Sequence, residues 1–243
     1  MRAVMVAAVA VLATGCARVE TTFSDTVSSE GVFVFQGTTD RGTIRYDGGG
    51  IGETFDVRGT SWATGGGKAK AERREADNQY AVSVQDRVLV ASGVSFDGRA
   101  GVDFSVLGPS VMDVDILTDR GTAELFDVNG IHVVTANRVY GRGIIGDVDF
   151  FADSNGIDVE VLPFEFGSVR VESRSGDVDL YIPWGLDYDL TVVGDPEYEM
   201  VIEDLGFDTF VLEPGLAIGW RGGRSIRVDV VVTGGDVRVL SAF

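Results

Sequence analysis

The chain has 243 residues, a formal charge of −18 and a pI near 4.3. That balance excludes a general nucleic-acid binder, which needs a basic face to meet phosphates. Cys16 is the single cysteine, so neither an intrachain disulfide nor a thiolate metal cluster can form.

The first element is Met1–Cys16, MRAVMVAAVAVLATGC, with one arginine, an apolar run over Ala3–Ala13 and small residues before the cysteine. The run is too short to span a bilayer and has the form of a signal-peptide core. Leu12-Ala13-Thr14-Gly15-Cys16 resembles the bacterial lipobox, with its leucine one place early. The resemblance implies cleavage before Cys16, lipidation of Cys16 and a stable membrane anchor, because several acyl chains hold where one does not. Ala17 rather than aspartate follows, which by resemblance to enteric lipoproteins implies the outer membrane of a bacterial cell envelope. The expected organisation is therefore a signal peptide over 1–15, a lipidated tether over 16–22 and one β domain over 23–243.

Residues 19–60 hold short alternating pieces, VETTFSDTV, GVFVFQGT, GTIRYDG and ETFDVRG, separated by turn residues. They read as opening strands. Ser61–Gln79 differs: three glycines precede Lys68, Lys70, Glu72, Arg73, Arg74 and Glu75 among alanines, a composition that favours one short helix. Its basic cluster reads as a solvated helix face rather than a site for anionic lipid or a phosphate polymer. Strands resume over Tyr80–Val106, and Pro109 closes this half.

From 111 to 190 the chain repeats with a period of roughly 20 residues, each unit an alternating run, a glycine-containing turn and a second alternating run. Such units form the coils of a solenoid, since none can bury its apolar face alone. Alternation fixes the register: Val148, Phe150 and Ala152 should lie over Val169, Val171 and Ser173, and Ile157, Val159 and Val161 beside Val178, Leu180 and Ile182. Val114, Ile116 and Thr118 fall in the first of these columns. Outward, Asp149, Arg170 and Asp189 should share a column on successive coils. DYDLTVVGD continues the stack, Glu197–Pro214 is a longer excursion, and RSIRVDVVVTGGDVRVLSAF alternates to the end.

SVRVESRSGDVDLYIP, DYDLTV and the closing SIRVDVVVTGGDVRVL resemble the bacterial putative-adhesin domain family of unknown function. The matching positions are Val169, Val171, Ser173, Ser175, Gly176, Asp177, Val178 and Leu180, then Gly234, Gly235, Asp236, Val237 and Val239. The resemblance covers most of 30–243 and is weakest over 131–146. It implies an all-β, right-handed, single-stranded parallel solenoid, exported and often membrane-anchored, with no catalytic residue and no cofactor.

His132 is the only histidine and falls in the inward column of Val148, as a buried hydrogen-bonding side chain rather than a catalytic base. The acids Asp113, Asp115, Asp147, Asp149, Asp158, Asp177, Asp179, Asp187 and Asp189 take outward positions, where solvated strands keep charge. A polysaccharide-cleaving enzyme on a β-helix is the alternative, and it requires opposed carboxyls across a bound sugar. SGDVDLYI and GGDVRVLS each hold a fragment of a calcium-binding β-roll motif. Trp184, Tyr188, Phe164 and Phe166 near coil corners suit either an aromatic patch or internal packing. The composite expectation is a lipid-anchored envelope protein that binds or scaffolds, its partner a protein or a polysaccharide.

Overall fold

The computed structural model describes residues 7–13, 16–203 and 205–242, the first stretch by its backbone. The charged start of the signal segment and the Thr14-Gly15 step of the lipobox lie outside the described residues. By compactness the chain divides into two units, Met1–Glu124 and Leu125–Phe243.

In the first unit, β1 (Ala7–Ala13), β2 (Cys16–Ser28), β3 (Val34–Thr39), β4 (Thr43–Asp47) and β5 (Thr54–Gly65) precede α1 (Lys68–Ala76). After the helix come β6 (Gln79–Gln85), β7 (Val88–Val94), β8 (Ala100–Leu107) and β9 (Asp113–Thr118), and β10 (Thr122–Phe126) carries the chain onward. Alternation over β5 buries Phe55, Val57 and Ala63 on one side. That long strand pairs antiparallel with β2 along one edge and with β8 along the other. A two-residue turn at Asp86-Arg87, both at positive φ, folds β6 back on β7, the turn geometry that suits a twisted hairpin. β3 lies parallel between β7 and β9. The expected helix is α1; Ala71 packs on Ala17 and Val19 of β2. Residues 16–22 are thus the first half of β2.

The second unit holds β11 (Asn129–Ala136), β12 (Arg138–Ala152), β13 (Ile157–Leu162), β14 (Ser168–Ser173), β15 (Val178–Ile182) and β16 (Tyr188–Val193). Then follow β17 (Met200–Ile202), β18 (Thr209–Glu213), β19 (Leu216–Trp220), β20 (Ile226–Val232) and β21 (Val237–Ser241). Here the inward columns are as the alternation requires. Val148, Phe150 and Ala152 sit opposite Val169, Val171 and Ser173 in a parallel ladder, and Ile157 and Val159 opposite Val178 and Leu180. All ten of these side chains are buried.

A coil is one strand from each of two ladders, as in β14 with β15. The coil that closes the sequence, β20 with β21, is not last in space. β20 pairs parallel with β14 on one side and β16 on the other, and β21 pairs with β15 and β17. Chain order and stacking order therefore differ, and the outward column changes with them. Arg170 faces Asp149 and Asp229, whereas Asp189 faces Arg227. The expected Asp149–Arg170–Asp189 column is corrected accordingly.

The protein is all-β with one short helix. A wholly parallel single-stranded solenoid does not describe the chain, because strand directions are mixed in both units. Besides the hairpin at Asp86-Arg87, β16 pairs antiparallel with β19 and β19 with β18. Short turns account for the β6–β7 and β18–β19 hairpins, since a tight turn can only return antiparallel, and β19 then lies antiparallel on β16 across a longer connection.

Candidate interaction surface

The repeat motif is explained at the coil turns. Gly156, Gly176 and Gly235 stack where successive coils approach by backbone: Gly176 N–H donates to Gly234 O at 2.7 Å and Ile157 N–H to Asp177 O at 2.9 Å. A Cβ on Gly176, whose φ is 136°, would stand 2.5 Å from the nitrogen of Gly156. The aspartate after the glycine caps the next coil. Asp177 accepts the N–H of Asp236, and Asp236 accepts that of Glu199, both at 2.9 Å. The fragments that resemble calcium loops thus give their carboxylates to backbone amides.

The outward acids Asp115, Asp147, Asp149, Asp158, Asp179 and Asp187 are also engaged, by backbone amides, a glutamine amide or arginines. Asp158 and Asp179 lie opposite one another in register, the arrangement nearest to a paired-acid site. Each holds its own arginine at 2.6 Å, Arg142 on Asp158 and Arg238 on Asp179, which relieves the like-charge opposition. Asp147 accepts the Ser168 N–H at 2.9 Å, Asp115 the Gln36 amide at 3.1 Å, and Asp187 the Gly223 N–H at 3.1 Å. Arg170 reaches Asp149 at 3.7 Å and Glu172 at 3.1 Å. Arg170 and Asp149, with Thr191, Arg227 and Asp229, line an open groove of 590 Å³ on the outer face of β14 and β20.

His132 is fully buried on the inward column opposite Val148, as alternation places it. Its Nε2 stands 3.3 Å from the carbonyl oxygen of Ile145, and because a carbonyl only accepts, the nitrogen in that contact carries the proton. A base must reach a substrate proton, and this ring faces the coil interior. Cys16 is exposed at the start of β2.

The corner aromatics divide. Tyr188 is buried, the internal-packing alternative, and its hydroxyl donates to Pro183 O at 2.7 Å. Tyr46 repeats the arrangement in the first unit, donating to Pro109 O at 2.7 Å. Burial raises the pKa of both phenols above the ordinary tyrosine range, with Asp47 adding to the effect at Tyr46. Trp184 and Phe166 are open to solvent, and Phe166 stands at a φ of 62°, a left-handed conformation that costs a non-glycine residue energy.

An apolar open surface lies in the excursion after Leu190. β18 is paired with β19 alone among the described residues, which leaves its other edge unpaired. Three consecutive residues on it, Phe210, Val211 and Leu212, are 40, 43 and 52 % exposed, so both faces of the strand show apolar groups. Phe210 stacks on Phe207 at 5.4 Å, which steadies the ring without covering it. Natural sheets blunt such edges with charge, proline or cover. Sequence reading placed the excursion but missed the edge; the signal was TFVLE, an apolar triplet without polar alternation.

No protein-family model and no curated protein matches the chain. Two solved structures are similar to it. One, from Clostridium sporogenes ATCC 15579, is described as a putative cell adhesion protein; identity is 11%, 91% of this chain and 99% of that chain are covered, and the TM-score is 0.39. The other, from Bacteroides fragilis NCTC 9343, is described as a putative adhesin; identity is 11%, coverage 91% and 97%, and the TM-score 0.27.

Proposed function

We propose that the protein is a lipid-anchored lipoprotein of the bacterial cell envelope, held in the outer membrane through Cys16, and that it binds an envelope partner without catalysis. In this reading the stacked parallel coils of the second unit follow the right-handed solenoid form that the resemblance implies. The partner's extended apolar segment adds as a strand beside β18, its backbone completing the open ladder and its side chains meeting Phe210, Val211 and Leu212. The unpaired edge with three exposed apolar residues in a row is the observation that carries the reading. Engagement of the candidate acid pair by Arg142 and Arg238, and burial of the one histidine, weigh against the hydrolytic alternative.

The test uses a photo-crosslinking residue placed at Val211 in cells making the full-length protein, with Asp149 as the comparison position. A crosslinked envelope protein captured from 211, and lost when Phe210→Lys and Leu212→Lys are added, is the expected result. Capture from 149 equal to that from 211, or none from either, contradicts the reading.

A further inference from the structure

β2 has a neighbour on each side: β5 along its whole length, and β1 against Cys16–Thr22. Cleavage before Cys16, on which the lipoprotein reading rests, would take β1 away with the signal segment. Alternate residues of Cys16–Thr22 then turn N–H and C=O groups, without their β1 partners, to one edge. We propose that this vacated edge pairs with the same edge of a second copy, antiparallel about a two-fold axis at Val19, to give a homodimer.

Charge selects that register. Within Cys16–Thr22 the charged residues are Arg18 and Glu20. They share the outward face, with side chains 48 and 34 % exposed, while Ala17 and Val19 point inward beneath Ala71 of α1. Keeping Ala17 and Val19 inward allows antiparallel registers centred on Arg18, Val19 or Glu20, because a one-residue slip would turn the strand inside out. A centre at Arg18 sets two arginines opposite each other, and a centre at Glu20 two glutamates; like charges directly opposite destabilise a pair of strands. A centre at Val19 places each Arg18 opposite the second copy's Glu20 and pairs the whole vacated stretch. That β1 takes an antiparallel place over the same residues shows the edge open to such a neighbour. The two-fold uses each edge once, so assembly stops at two.

The full-length gene is expressed in a bacterial host and the product is purified from membranes in detergent. Its intact mass reports whether residues 1–15 are gone. Sedimentation, with micelles in excess over protein, is expected to give a dimer for the processed wild type. Arg18→Glu and Glu20→Arg should each weaken association by about tenfold or more. Mixing these two variants should restore a dimer with one chain of each, because every acid then faces an arginine across the axis. The ion pair within one chain between Arg18 and Glu20 is lost in both variants, so it cannot produce that recovery. A processed wild type that is monomeric, variants that associate as well as wild type, or a mixture that stays monomeric overturns the dimer and leaves the anchor standing. An uncleaved chain, with β1 still beside β2, overturns both.

Discussion

At the scale of single residues, the second unit is held by columns in which one side chain decides a whole coil. Phe150 is completely buried between Val134 and Val171, whereas the neighbouring Asp149 side chain is more than half exposed. Phe150→Asp would leave a carboxylate without a partner between coils, a change in the class that costs about 4 kcal/mol or more, while Asp149→Ala belongs among surface changes of about 0.5 kcal/mol or less. Thermal melts of the two variants check this, and equal melting temperatures would mean that the inward column is misplaced. Gly176 is a second such residue. Its φ of 136° and the 2.5 Å that a Cβ would leave to the Gly156 backbone cannot be relieved by rotating a side chain. Gly176→Val is expected to destabilise by about 2–3 kcal/mol. Phe166→Gly, by contrast, removes a left-handed strain from a ring already 77 % exposed and should raise stability by about 1 kcal/mol. A fall in unfolding midpoint for Phe166→Gly would show that the ring packs in solution.

At the scale of elements, the inward columns were legible because a period of two leaves no choice once aspartates must stay outside. Val148 over Val169 and Ile157 beside Val178 follow from that rule alone. The helix at Lys68–Ala76 was legible from its alanines and charges. Stacking order was not, since β16 (Tyr188, Leu190, Val192) and β20 (Val228, Val230, Val232) both present an alternating apolar inward face and either satisfies the face of β14. Nor were strand directions, which depend on turn length more than on pattern: Asp86-Arg87 reverses the chain although neither residue is glycine. The open edge of β18 depends on what fails to pair with it, which no local pattern records. The insertion of β20 between β14 and β16 has its own consequence. A proline at Val230, in a strand with a neighbour on each side, removes a ladder donor where no edge exists to tolerate the loss. Val230→Pro should cost on the order of 3 kcal/mol and should raise hydrogen exchange in β14 and β16 together. Faster exchange confined to β20 would contradict the insertion.

At the scale of the molecule, the acidity and the open edge accord with the proposed anchored binding protein. A net charge of −18 would repel a phosphate polymer, and glycine turns let coils stack by backbone. Because Ala17 already pairs with Gly65, an acyl group on Cys16 would hold the first unit directly at the bilayer. α1, which packs on Ala17 and Val19, would stand beside that attachment. The intact mass of the protein isolated from the membranes of a lipoprotein-processing bacterium tests the account most directly. A chain that begins at Cys16 and carries the added mass of acyl groups, with Cys16→Ser accumulating unprocessed, is the expected result. A soluble chain that retains its first fifteen residues, or begins elsewhere without acyl mass, would contradict it.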